Sequence, residues 1–122
     1  MTKWASASAT GMTEARLAAG IWVAAYLARL GQAFIPAYVT ARGDDTAGAV
    51  LVKCARLDGQ ADLWMREWDM DSDTRPWVRI DTGPERDIDA AIARQRSRDP
   101  DLWVLEIESR DGQTLLDQDG LF

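Results

Sequence analysis

The chain has 122 residues, 47% of them hydrophobic, a net charge of −6 and no histidine. That is enough apolar material for one folded domain and too much for a disordered chain. The missing histidine removes Ser-His-Asp and Cys-His catalysis and every histidine-ligated metal site, and the acidic excess argues against nucleic acid as a partner.

Residues 1–12, MTKWASASATGM, are rich in serine and alanine and carry no apolar core of a signal peptide. They are expected to form a flexible N-terminal arm, with residues 13–122 as a single domain. The apolar run Ala18–Ala28 meets Arg29 well short of the ~20 residues that a membrane-spanning helix needs, so no membrane partner is expected. A first helix is expected within Thr13–Gly31, with Gly31 closing it. Gly20, Ala24 and Ala28 recur every fourth residue as a smooth strip. Trp22, Val23, Tyr26, Leu27 and Leu30 form a bulky face opposite. A surface helix normally has a polar side; this one is either sandwiched inside the domain or partly covered by a second subunit.

Strands follow at Phe34–Ala41, Ala49–Leu57, Ala61–Trp68 and Trp77–Asp81. They are separated by RGDDTAG, by LDGQ with its Asp-Gly hairpin mark, and by DMDSDTRP. Connections this short predict an antiparallel meander. Pro84, with Glu85 and Asp87 just after it, opens a second helix; Ile88, Ala91 and Ile92 make its apolar stripe, and Asp99-Pro100 stops it. Leu102–Ser109 is the last strand. The predicted fold class is α+β: a mostly antiparallel sheet of about five strands with two main helices, in the order α-β-β-β-β-α-β.

DMDSD at Asp69, Asp71 and Asp73 imitates the first half of an EF-hand loop. The required glycine is Thr74 and the bidentate glutamate is Ile80, so it reads as an acidic hairpin loop with no metal. GDDTAG has two glycines at P-loop spacing but lacks the Lys-Ser/Thr; its expected role is a turn, with glycine supplying backbone freedom. Asp99, Asp101, Glu106 and Glu108, with Arg86 as charge stabiliser, make an alternative catalytic set for a Mg²⁺- or Mn²⁺-dependent hydrolase or nuclease acting on a phosphate ester. The competing reading of these carboxylates is ion pairing with neighbouring cations. Trp64 and Trp68 share a half-polar strand face with Asp62 and Arg66, against Leu63 and Met65 on the other; one of the two sets is a candidate interface. Cys54, the single cysteine, points to a reducing, cytoplasmic compartment and reads as a buried apolar residue, with Lys53 on the opposite face.

WVAAYLARL, then ARGDDTAGAVLVKCARLDG, then ERDIDAAIARQRSRDPDLWVLEIESRDG resemble, in that order, a family of small bacterial proteins catalogued as domain of unknown function 1491. The resemblance covers roughly Arg16 to Gly112, and DPDLWVLEIE and GAVLVK are its most specific parts. It implies a small cytosolic protein of alphaproteobacterial type and brings no activity, cofactor or catalytic residue with it. The N-terminal arm is longer than the family's usual start.

The functional expectation is a non-enzymatic, cofactor-free domain that binds a protein partner or a second copy of itself. Gly20, Ala24, Ala28, Trp22, Tyr26, Trp64 and Trp68 are the candidate contact residues. The phosphate-ester enzyme is the alternative, and a small-ligand binder using tryptophan is a third reading.

Overall fold

The structure, a computed structural model, describes residues 18–66 and 75–117. The arm expected at 1–12, Trp68 and the aspartates of DMDSD lie outside the described residues. The elements follow the expected order: α1 (Ala19–Gln32), β1 (Ala37–Ala41), β2 (Val50–Ala55), β3 (Gln60–Arg66), β4 (Trp77–Pro84), α2 (Glu85–Arg98) and β5 (Trp103–Glu108).

Helix α1 buries Ala19, Trp22, Val23, Tyr26 and Leu30, the three-and-four spacing of one helical stripe. Its end differs from the sequence expectation. The helix runs one residue past Gly31, and Phe34 takes the left-handed position at φ 59°. The Ile35 N–H donates to the Leu30 carbonyl and the Phe34 N–H to the Gly31 carbonyl, while Ile35 and Leu30 are both buried. This is a Schellman closure with phenylalanine where glycine is usual. Helix α2 carries Glu85 and Asp87 in its first turn and Arg96 and Arg98 in its last, each end matching the helix dipole.

The five strands form one sheet in the order β1-β5-β2-β3-β4. β2, β3 and β4 make the expected antiparallel meander. β1 does not join it. β5 lies between β1 and β2, antiparallel to the first and parallel to the second. The sheet is therefore mixed, and α2 is the crossover that carries the chain from β4 to β5.

Residues alternate along β2 and β5 between two cores. Val52, Cys54, Trp103, Leu105 and Ile107 pack with α1 and with Leu115 and Leu116 of the C-terminal segment. Leu51, Leu63, Leu102 and Val104 pack with Ile88 of α2. One helix thus covers each face, so both residue sets of β3 are covered: Trp64 packs on the α1 side, Leu63 and Met65 on the α2 side. Inside the first core the Tyr26 hydroxyl donates to the Thr114 carbonyl at 2.8 Å and ties the C-terminal segment to α1.

GDDTAG carries the chain from β1 over the start of β5 to β2. The Asp44 N–H donates to the Asp101 carbonyl, and the Trp103 indole N–H donates to the Asp44 carbonyl. The Arg96 guanidinium donates to the carbonyls of Arg42, Pro100 and Leu102. Neither Gly43 nor Gly48 has a positive φ, so backbone freedom is not why they are glycines. A Cβ on Gly43 would lie 2.2 Å from the Asp101 carbonyl oxygen, and one on Gly48 2.5 Å from it. Close passage of two backbones is what requires them.

Gly43→Ala is therefore expected to cost about 2–3 kcal/mol, the range for overpacking against atoms that cannot swing away. Gly31→Ala, with nothing within 4 Å of the new methyl, is expected to be neutral or to stabilise by up to ~1 kcal/mol. Urea unfolding of the two variants checks the pair; equal effects would refute the close-passage account.

Candidate functional site

The carboxylates singled out in the sequence separate along the sheet. Glu106 joins Glu85 and Asp89 of α2 around the ammonium of Lys53, at 3.4, 2.7 and 2.8 Å. Glu108 lies one strand repeat further along β5, at the register of Ala55. Asp99 and Asp101 stand at the opposite end of β5, where the Asp99 carboxylate accepts the Asp101 N–H. Arg86 is exposed. The five residues of the phosphate-ester reading do not converge on one point. Among the described residues no group of three His, Cys, Asp or Glu side chains is placed to hold a metal ion.

Lys53 is the polar residue that sequence reasoning underrated. It stands on the central strand with its side chain 5% exposed, while its three partners keep 25–57% of theirs. Burial works to lower its pKa. The hydrogen bonds to Asp89 and Glu85 and the charge of Glu106 outweigh burial and hold the ammonium firmly protonated. A lysine so held is a poor nucleophile or base; its chemistry here is to fasten α2 to the sheet. The signal was present in the sequence: Glu85 and Asp89 sit one turn apart at the start of α2, and Glu106 shares Lys53's parity across the β2–β5 pair.

Cys54 is fully buried. Burial, then the charge of Asp62, push its thiol up to about 11 against the opposing charge of Arg56. Asp62, itself buried, accepts from the Thr82 hydroxyl at 2.6 Å and from Arg56 at 3.3 Å. The thiol is protonated at neutral pH and is not a nucleophile.

The expected contact residues divide. Trp22 and Tyr26 are 4% and 0% exposed, stacked at 4.9 Å within the core, and present nothing to a partner. Trp64 is half-buried against the same core. Gly20 is half-buried under the Asp45 carboxylate. Ala24 and Ala28 are exposed, together with Ala25 and with Ile21 at 60%. At the end of the same helix Phe34 is 92% exposed in its left-handed conformation. Val39, 43% exposed, lies on the α1 side of edge strand β1, opposite Leu105. Ile21, Ala24, Ala25 and Ala28 thus make an exposed apolar stripe, flanked by the Asp45 carboxylate at Gly20 and by Arg29 in the last turn, on a chain whose charge is −6.

The family described as protein of unknown function (DUF1491) matches residues 17–117. Three solved structures are similar. A crystal structure of a DUF1491 family protein from Caulobacter crescentus is 40% identical with a TM-score of 0.76, over 84% of this chain and 96% of that one. An NMR structure of a DUF1491 family protein from the same organism is 41% identical with a TM-score of 0.72, over 83% and 93%. The solution structure of a protein from A. tumefaciens is 29% identical with a TM-score of 0.66, over 77% and 86%. No curated protein matches. No helix among the described residues is long and apolar enough to cross a membrane.

Glu85→Gln combined with Asp89→Asn leaves the buried ammonium with Glu106 alone. The expected loss at neutral pH is about 2–3 kcal/mol, less than for a fully buried pair because the carboxylates are half in water. A lysine with a raised folded pKa contributes stability that is complete below its unfolded pKa of about 10.4 and fades as pH rises through the folded value. The double variant should therefore lose stability at lower pH than the parent. Lys53→Met, which strands no buried charge, should cost less. Urea melts at neutral and alkaline pH test this, and a larger cost for Lys53→Met would refute the arrangement. Cys54 should resist a disulfide thiol reagent near pH 8 until the protein unfolds; rapid native labelling would contradict its burial.

Proposed function

We propose that this chain, which belongs to the DUF1491 family, is a non-enzymatic interaction domain of the cytosol that associates with a second copy of itself through the outer side of α1. The observation that carries the reading is Phe34, a bulky residue in strained backbone, almost wholly in water, just past the end of the helix that carries the exposed stripe of Ile21, Ala24, Ala25 and Ala28. A left-handed conformation costs an ordinary side chain about 1–2 kcal/mol, and glycine would remove most of that cost. Strain retained at an exposed aromatic is a mark of use rather than of stability.

A second copy is the favoured partner for an electrostatic reason. Two acidic chains repel least through a stripe whose own residues carry no charge and whose bordering carboxylate, Asp45, is paired with Arg42. One patch serves both partners in a two-fold pair. Alanines allow close approach of the helices, and Ile21 and Phe34 supply apolar bulk. Pairing through β1 is less favoured, because a bulge between Val39 and Ala41 breaks its register, a common guard on edge strands. The surface is small. A helix of 14 residues offers a face of roughly 21 Å by 10 Å, below the ~800 Å² per partner of a standard stable interface. The dimer is therefore weak and reversible. The buried, protonated thiol of Cys54 is consistent with a reducing compartment.

Sedimentation equilibrium over a wide concentration range should show mass rising from monomer toward dimer. Ala28→Glu should hold the chain at monomer mass with its melting temperature nearly unchanged. Phe34→Gly should weaken association while raising stability by up to ~1 kcal/mol, measured at concentrations where the parent is monomeric. A parent that stays monomeric throughout, or an Ala28→Glu variant that still dimerises, would sink the reading.

A further inference from the structure

We infer that residues 110–117 form a strap that opens as a unit while the helices and the sheet stay folded, and that two copies of the chain exchange it. The exchange, though not the opening, rests on the self-association proposed above. The segment follows β5, turns at Ser109–Gly112 and joins neither the sheet nor a helix. It carries Leu115 and Leu116, 6% and 5% exposed, which close the core between α1 and the sheet.

The bonds that hold the strap are few, and most are its own. The Gly112 N–H donates to the Ser109 carbonyl, the Gln113 N–H to the Ser109 hydroxyl and the Leu116 N–H to the Thr114 hydroxyl. Among the described residues, two side chains beyond the strap and its root reach it by hydrogen bonds. The Tyr26 hydroxyl donates to the Thr114 carbonyl at 2.8 Å inside the core, and the Arg56 guanidinium donates to the Arg110 carbonyl at 3.3 Å at the surface. The strands beneath are held otherwise: β2 and β5 are each bonded on both edges. A segment with few backbone bonds to the rest belongs to the low-stability end of a fold, and central strands belong to the high end.

The strap also contains its own hinge and its own strain. Gly112 takes φ 71°, and a Cβ there would meet nothing closer than the flexible Arg56 side chain at 3.9 Å, so this residue turns freely. Leu115 is held at φ 61°, a left-handed conformation that is unfavourable for any residue with a Cβ. Burial of the two leucines holds the strap down against that strain. The bond from Tyr26 to Thr114 is the latch.

Opening bares apolar surface where self-association needs it. The outer stripe of α1 falls short of the area of a standard stable interface. The seat of the strap lies beside Tyr26, on the same helix and within one turn of Ala24, Ala25 and Ala28. An open copy presents two leucines on a tether together with their seat. A second open copy supplies the matching pair, so exchange remakes the closed contacts between copies while the stripes add theirs. An exchanged strap runs out from its root without folding back at Gly112, so the left-handed turn is released.

The test is amide hydrogen exchange on the full chain by NMR, with sedimentation equilibrium beside it. The buried Leu116 amide should exchange at least about a hundredfold faster than the amides of β2 and β5, and low urea should speed the strands but barely the strap. Tyr26→Phe removes the latch from closed and exchanged forms alike. It should raise the Leu116 rate about fivefold and leave the association constant unchanged. Gly112→Ala strains the closed turn alone. It should raise the Leu116 rate about tenfold and strengthen association at least as much, because two copies open for each exchanged pair. Ala28→Glu should weaken association and leave the Leu116 rate as in the parent, so failure of the α1 reading is separable from failure here. Equal protection of strap and strands would overturn the opening, and a Gly112→Ala chain that associates no more than the parent would overturn the exchange.

Discussion

Everything in this fold hangs on β5 entering between β1 and β2. The last strand of the chain is hydrogen-bonded on both edges. Its side chains supply Trp103, Leu105 and Ile107 to the α1 core and Val104 to the α2 core. Until it is in place, β1 has no partner and α1 has only part of its floor. The insertion also forces the β1–β2 connection across the start of β5, within van der Waals reach of Asp101 and Trp103. The two glycines, the Trp103 indole and the Arg96 guanidinium all serve that one crossing. Contacts this distant in sequence close large loops before they reward the chain.

This explains what the sequence could and could not disclose. Each element announces itself locally: the Trp22-Val23-Tyr26-Leu30 stripe, the alternation in LWVLEIES, Pro84 followed by acids, Asp-Gly between β2 and β3. Strand order is a property of pairs, and nothing in AYVTA says that its neighbour will be WVLEIE and not VLVKCA. Short connections favour hairpins, and the rule holds for β2–β3–β4. It fails for β1–β2 because the seven residues of RGDDTAG are long enough to step over one intervening strand. The same limit applies to side chains. Glu85, Asp89 and Glu106 were visible as acids, but their common partner, Lys53, emerges only when α2 is laid across β2. Phe34 was hidden for another reason: Gly31 satisfied the expected signature of a helix end three residues early.

Polarity in this domain is arranged by what each layer must exclude. The α2 side admits one buried cation because three partly wet carboxylates meet it, and the net negative charge of that group remains near solvent. The α1 side admits Asp62 only with Thr82 and Arg56 attached. Cation–π contacts set Arg66 against Trp22 and Trp77, and Arg42 against Trp103. The acidic excess is thus carried by loops and by the end of β5 and not by α2, which holds three acids and four arginines. The stripe of Ile21, Ala24, Ala25 and Ala28 departs from that pattern by carrying no charge of its own.

That stripe and the packed face belong to one helix, and both depend on how its first turn is held. Ala19 and Trp22 face the core, whereas Ile21, Ala24 and Ala28 face outward from the same turns. The N–H groups of Ala19 and Gly20 are held by the carbonyls of Thr46 and Asp45, so the loop between β1 and β2 anchors the start of the helix. The same loop is tied to β5 through the Asp44 N–H and the Asp101 carbonyl. The placement of α1 and the crossing over β5 therefore depend on one short run of backbone, and a change that loosens the crossing loosens the helix with it.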